Sequence, residues 1–175
     1  MPQNYSLGHG VAEDMRMSAG IAMHFKSIYK RVGNLMDQKQ KVDSVTYLQE
    51  NNQFIYYLLT KELSKHKPTY NSITAAITKL SDLIVEHGVK KLAIHRIGCG
   101  LDKLGWSRVK CIIENLFQNT ECTIKVCHFT HNMLKESELL RVEHPGTIKI
   151  HKNINDIQKR EFHKLNIILY SQITN

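Results

Sequence analysis

Apolar residues recur along this chain at two spacings that take turns. Leu7 to Val11 reads as a short strand, followed by a loop from Ala12 to Ser18. From Ala19 to Lys30 the apolar positions Ile21, Phe25 and Ile28 fall at helical spacing, and Gly33 to Gln40 reads as a second, shorter helix. Ser44 to Gln49 and Phe54 to Thr60 have strand character. The polar stretch Glu50-Asn51-Asn52-Gln53 between them predicts a hairpin. The clearest helix runs from Thr69 to His87, with Ile73, Ala76, Ile77, Leu80 and Ile84 on one face and Gly88 as its stop. Lys91 to His95 reads as a buried strand and Trp106 to Gln118 as a helix with Val109, Ile112, Ile113, Leu116 and Phe117 on one side. Cys122 to Phe129 reads as a strand in which Ile124 and Val126 alternate with polar neighbours.

Strands that alternate with amphipathic helices predict an α/β domain whose mainly parallel sheet is covered on both faces. The rhythm breaks after Phe129, so residues 1–129 are read as one domain and 130–175 as a C-terminal appendage. In the appendage, Pro145-Gly146 marks a turn, Thr147 to His151 a short strand and Asn155 to Leu169 a helix. A chain of 175 residues suits one domain and a tail. The hydrophobic content of 42% and charged content of 23% are those of a globular chain. The longest apolar run, Phe54 to Leu59, is far too short to span a bilayer, and Met-Pro-Gln-Asn has no signal-peptide character. A soluble protein of the nucleus or cytoplasm is therefore expected.

Cys99, Cys111, Cys122 and Cys127 form no Cys-x-x-Cys pair and are read as reduced thiols. Cys127 with His128 and His131 is read as a strand running into a loop, so no metal and no cofactor are expected. The formal net charge of +8 favours anionic ligands such as a nucleotide, a pyrophosphate or a nucleic acid without choosing among them. No arginine-rich run or aromatic-interleaved basic patch is present, so no specific nucleic-acid partner is expected.

Ligands of open α/β sheets bind beyond the carboxyl ends of the strands, and three segments fall there. The first runs from Gly10 through Ala12 and Ser18 to Gly20, at the start of a helix. The second is Thr60-Lys61, closing a strand. The third is Arg96-Ile97-Gly98-Cys99-Gly100-Leu101-Asp102. Glycines at 98 and 100 let a backbone approach a ligand closely, and amides in such a loop can nest phosphate or ribose oxygens. The helix start near Ala19 adds partial positive charge. A lysine ending a strand is most often a solvated charge, and an aspartate after a glycine loop is most often a turn or cap residue. If Lys61 and Asp102 share one cleft, a reaction becomes available: a lysine that attacks an anomeric carbon and a carboxylate that moves its protons. Trp106 reads as helix-end packing, and the cluster Lys65-His66-Lys67 as a solvated loop. No Gly-x-x-x-x-Gly-Lys-Ser/Thr occurs, which removes the P-loop ATPases.

Four segments together resemble one family: Glu13 to Ala22 (EDMRMSAGIA), Tyr56 to Lys61 (YYLLTK), His66 to Tyr70 (HKPTY) and Arg96 to Asp102 (RIGCGLD). In this order and spacing, from about Ser6 to Phe129, the chain is similar to the terminal ADP-ribose protein glycohydrolases. These are macrodomains also described as O-acetyl-ADP-ribose deacetylases. The resemblance implies a three-layer α/β/α macrodomain that removes ADP-ribose from acidic side chains of proteins and hydrolyses O-acetyl-ADP-ribose. It implies that Lys61 attacks the distal ribose and Asp102 resolves the intermediate. It further implies ligand contacts at Ala12, Ser18, Ala19, Gly20, Ile21, Arg96, Ile97, Gly98, Cys99, Gly100, Leu101 and Phe129. The partners it implies are ADP-ribose, O-acetyl-ADP-ribose and ADP-ribosylated proteins, in a monomer.

Three departures qualify the match. The family begins with further strands ending in a Gly-Asp pair that helps hold the adenine, so a macrodomain lacking its first strands, N-terminally truncated, is expected here. Ala12 stands where the family's first loop has a serine. The residues after Phe129 have no counterpart in the family. A second function therefore stands beside the hydrolase: an ADP-ribose-binding module with weak or no turnover. A third, a general nucleic-acid binder, has only the net charge in its favour.

Overall fold

In a computed structural model, residues 5–127 are described. The elements follow in the order β1 (Ser6–Ala12), α1 (Gly20–Tyr29), α2 (Val32–Asp37), β2 (Ser44–Glu50), β3 (Gln53–Lys61), α3 (Tyr70–Glu86), β4 (Lys91–His95), α4 (Trp106–Phe117) and β5 (Thr123–Cys127). Among the described residues, five strands form one sheet in the order β2-β3-β1-β4-β5. β1 lies at its centre, parallel to β3 on one side and to β4 on the other. β2 runs antiparallel to β3, with Ser44 opposite Leu59 and Glu50 opposite Gln53, so the polar turn at Asn51-Asn52 closes the expected hairpin.

Both faces of β1 are covered, and its side chains divide between two layers. Gly8 faces the same side as its partners Tyr56 and Ile94, where α3 and α4 bury Ile73, Ile77, Leu80, Ile84, Val109 and Ile113 against Leu58 and Leu92. A Cβ at Gly8 would lie 3.1 Å from Ile94 Cγ2, so the missing side chain is what lets this layer close over the central strand. His9 faces the opposite side, against Tyr57 and Phe25 of α1. These three layers place the carboxyl ends of β1, β3 and β4 side by side, since parallel strands share their direction. The fold is an α/β/α sandwich with a mainly parallel sheet.

Helix boundaries follow local chemistry. α3 opens with a capping box in which Thr69 accepts from the Ser72 amide and Ser72 Oγ accepts from the Thr69 amide. Its apolar stripe is the one the sequence shows, and burying each of its large aliphatic side chains contributes roughly 1.5–3 kcal/mol. α1 is one residue shorter at each end than its periodicity predicts: Ala19 is the extended N-cap, and Lys30 turns left-handed at φ 52°. α2 ends at Asp37 and not at Gln40, because the chain turns left-handed again at Lys39. β1 runs one residue further than expected, so Ala12 belongs to the strand and not to the loop after it. β5 spans Thr123–Cys127, inside the expected Cys122 to Phe129, and Phe129 lies outside the described residues. So do the tail elements expected at 147–151 and 155–169.

A buried histidine and its half-buried neighbour set a pH limit on the fold. Among the described residues, both ring nitrogens of His9, and Nδ1 of His95, are buried without a hydrogen-bond partner, with ring centroids 6.5 Å apart. Burial, with the neighbouring His95 adding repulsion, holds His9 well below its usual pKa; burial holds His95 down to about 4. Both rings are thus neutral in the native state at neutral pH, whereas unfolded histidines take up protons below about 6.5. The unfolded state then binds more protons between about pH 6.5 and 4, and stability falls as pH falls through that window. The expected slope is up to about 1.4 kcal/mol per pH unit for each histidine. Urea midpoints measured from pH 7.5 to 5 check this, and His9→Leu is expected to flatten the slope by about one proton. A wild-type midpoint independent of pH over that range would contradict it.

Candidate functional site

β1 and β3 continue to run together past their last regular pair. The register shifts between Val11 and Ala12, which sets Ala12 opposite Lys61. Beyond it the Glu13 amide donates to the Lys61 carbonyl at 2.8 Å and the Asp14 amide to the Glu62 carbonyl at 3.1 Å. The Asp14 carboxylate then accepts from the Ser64 amide (2.8 Å), the Ser64 hydroxyl (2.6 Å) and the Arg16 amide (3.3 Å). Burial pushes the Asp14 carboxyl up, but the Ser64 bonds, with the Arg16 amide and charge, together hold the group below its ordinary pKa. From the α3 side, Ser72 Oγ donates to the Thr60 carbonyl at 2.8 Å. Lys61 therefore projects from a strand end fixed on both flanks.

The loop after β4 is wound just as tightly. The Cys99 amide donates to the Arg96 carbonyl (3.1 Å), the Lys103 amide to the Gly100 carbonyl (3.2 Å) and the Leu104 amide to the Gly98 carbonyl (2.9 Å). Gly98 sits at φ 70°, and a Cβ there would come within 2.5 Å of Ile73 Cδ1 and 3.0 Å of Leu104 Cδ1. This winding carries Asp102 across to β3, where Lys61 Nζ donates to Asp102 Oδ1 at 2.7 Å. The lysine side chain is 14% exposed and the carboxylate side chain 23%, so the pair is largely withdrawn from solvent yet still reachable from it.

The first loop reaches the same sheet edge. Met15 and Met17 are left-handed (φ 50° and 44°) with their side chains buried, which turns the chain from β1 into α1 and leaves Ser18 and Ala19 exposed. No side chain caps α1, so its first amides remain available to an anion. A Cβ on Gly20 would stand 3.7 Å from Leu101 Cδ1, which places the α1 start directly across from the glycine loop. Leu101 is 73% exposed, an apolar side chain at this edge.

The structure thus brings Lys61, Asp102, Ser18, Ala19, Gly20, Gly98, Gly100 and Leu101 to one sheet edge. Ile97 and Ala12 also lie there, but their side chains are buried in the core, which leaves only their backbone groups for a ligand. Cys99 is half-buried, with Sγ donating to the Ile97 carbonyl and its thiol pushed up by burial. Arg96 is exposed, its guanidinium over the Trp106 ring at 5.5 Å. Among the described residues no three His, Cys, Asp or Glu side chains gather as a metal site. None of the helices described is long and apolar enough to cross a membrane. The Asp14 clamp was not singled out from the sequence: Ser64 is 50 residues away, and nothing local marks that pairing.

A sheet of this order, with a helix N-terminus and a glycine loop closing over a Lys–Asp pair, defines a class of fold. The macrodomain of Mycobacterium tuberculosis DarG superposes with a TM-score of 0.65 over 71% of this chain and 89% of its own, at 19% identity. The architecture is a macrodomain. No protein-family model matches the chain. ADP-ribose glycohydrolase OARD1 of Bos taurus is 42% identical over 125 residues, and its Homo sapiens counterpart 40% identical over the same length. Each alignment covers 71% of this chain and 82% of the relative. The chain belongs to this ADP-ribose glycohydrolase family of macrodomains, which makes it a hydrolase.

Proposed function

We propose that the protein removes ADP-ribose from acidic side chains of modified proteins, and acetate from O-acetyl-ADP-ribose, with Lys61 as nucleophile and Asp102 as its proton partner. The observation that carries this reading is the 2.7 Å contact between Lys61 Nζ and Asp102 Oδ1 at the edge where the phosphate-type loops converge. The diphosphate is read onto the amides of the α1 start at Ser18 to Ile21 and of the loop from Arg96 to Leu101. That leaves the distal ribose over the Lys61–Asp102 pair.

In this scheme the Lys61 nitrogen, free of one proton, forms a bond to the anomeric carbon. The bond from that carbon to the acyl oxygen breaks, and the glutamate leaves as a carboxylate with the electron pair. Asp102 takes the proton that the new C–N centre sheds and passes it to the ring oxygen as the ribose opens to an imine. Water then adds to the imine carbon, with Asp102 accepting a proton, and the C–N bond breaks to release ADP-ribose and Lys61. An acetyl group on the anomeric oxygen leaves as acetate by the same steps. The fixed flanks of both residues support this role, because a misplacement of about 1 Å costs roughly a hundredfold in rate.

The test is turnover of a glutamyl-ADP-ribosylated protein and of O-acetyl-ADP-ribose, with borohydride added during the reaction. Release of free ADP-ribose from both, and one ADP-ribose adduct mapped to Lys61, are expected. Tight ADP-ribose binding with no release from either substrate would instead make the protein a reader. Turnover without an adduct would assign the attack to water and leave Lys61 an electrostatic part.

A further inference from the structure

The surface around the Lys61–Asp102 pair carries charge of opposite sign on its two sides. Next to Lys61 on the β1 side, Glu13, Asp14 and Glu62 line a cleft together with Lys41. The other side is formed by the N-terminal ends of α3 and α4, which meet where the Gly105 amide donates to Tyr70 Oη at 3.0 Å. Lys65 and Lys67 lie in the turn leading into α3, Lys103 follows Asp102 directly, and Arg96 and Arg108 flank the start of α4; all five are exposed. None of the five has a carboxylate partner among the described residues, whereas Arg16, Arg31, Lys41, Lys61, Lys90 and Lys110 each do. From Leu63 to Ile113 the carboxylates are Asp82 and Glu86, in the last turns of α3, and Asp102, which Lys61 holds.

The two arginines are also fixed in place. Arg108 lies over the Tyr70 ring at 4.0 Å and Arg96 over Trp106 at 5.5 Å. Stacking on a ring occupies the flat face of a guanidinium and leaves its edge, with its fork of N–H donors, directed outward. That edge matches a carboxylate in two-point geometry. The same stacking covers one face of each ring, the face that would otherwise serve an unpaired base as a platform, as single-strand binders require.

We propose that this surface docks the acidic polypeptide segment around the modified carboxylate, so that carriers with acidic residues beside the attachment point are preferred. The proposal rests on the glycohydrolase reading above. The carrier leaves from the carbon held at Lys61 and Asp102, and Lys103 begins the basic rim one residue further on. A chain emerging there meets cations on the α3–α4 side and carboxylates on the β1 side, and the acidic flanks settle its direction.

The comparison uses two synthetic peptides, each with one ADP-ribosylated glutamate, flanked either by acidic residues or by serine and glycine. Affinity is measured in a Lys61→Ala background, which holds the peptide uncleaved, so that failure of docking and failure of catalysis are separate results. At low salt the acidic peptide is expected to bind about tenfold more tightly, and this preference should shrink as ionic strength rises. Lys67→Glu with Arg108→Glu should abolish the preference, and Arg108→Lys should keep part of it. In the enzyme with Lys61 intact, the double variant should raise KM for the acidic peptide with kcat unchanged. It should leave turnover of O-acetyl-ADP-ribose, which has no peptide, as it is. Equal affinity for the two peptides, or a preference that survives the double charge reversal, overturns the proposal. So does an RNA oligonucleotide whose binding is lost in the double variant while the peptide preference stays, which would make the surface a nucleic-acid face.

Discussion

Lys61→Ala is expected to abolish release of ADP-ribose from glutamyl-modified protein, a loss of about a thousandfold or more. The side chain is 14% exposed, and among the described residues its ammonium is paired with one carboxylate, Asp102. Removing it should cost only about 1–2 kcal/mol of stability, between the values for exposed and buried pairs. An unchanged circular-dichroism spectrum and a small fall in melting temperature separate the loss of chemistry from loss of fold. Lys61→Arg is the sharper variant. It keeps the charge and can reach Asp102, yet a guanidinium does not give up its proton to attack carbon, so it should be nearly as inactive as alanine. Asp102→Ala should lose almost as much, and the double variant should be little worse than Lys61→Ala, since two groups that act on one bond are not additive. Substantial release by Lys61→Arg would exclude nucleophilic attack and leave only a positive charge to explain.

The elements of this fold were legible wherever one face of an element decides its burial. The α3 stripe of Ile73, Ile77, Leu80 and Ile84 and the strand Lys91–His95 appear in the structure where their periodicity puts them. The hairpin of β2 and β3 was equally plain, because Asn51, left-handed at φ 53°, occupies a turn position that tolerates it. Pairing across the sheet was not written locally. β1 is the central strand, and its short, glycine-containing sequence gives no sign that β3 and β4 both lie against it. His9 shows the same limit: one polar residue in an alternating strand reads as a solvent position, yet here both faces of the strand are covered and the ring is fully buried. Lys61 and Asp102 could be placed on one edge by topology, because both follow parallel strands. Their 2.7 Å contact depends on how the glycine loop is wound, and that follows from packing against Ile73 and Leu104.

That winding makes Gly98 the position where a single added methyl should do the most harm. At φ 70° an alanine sits in the left-handed region, at a cost of about 1–2 kcal/mol. Its Cβ would also stand 2.5 Å from Cδ1 of Ile73, which is fully buried, and 3.0 Å from Leu104 Cδ1, so neighbours must move at a further cost of about 1–3 kcal/mol. Gly98→Ala is therefore expected to destabilise by roughly 2–5 kcal/mol in urea titrations. Gly100→Ala, which meets nothing within 4 Å, should stay within about 0.5 kcal/mol of wild type. Activity should fall with Gly98→Ala even where the protein is still folded. The Gly98 carbonyl holds the Leu104 amide, and the segment between them carries Asp102 to Lys61. The steric part can be isolated, because the closest atom is Cδ1 of Ile73, which valine lacks. Ile73→Val alone should cost about 0.5–1.5 kcal/mol. Combined with Gly98→Ala it should recover part of the loss, giving a negative coupling energy of about 1 kcal/mol or more, while the backbone strain at residue 98 remains. Strict additivity of the two changes would show that the loop moves away from Ile73 freely, and that its winding is not what fixes Asp102 over the lysine.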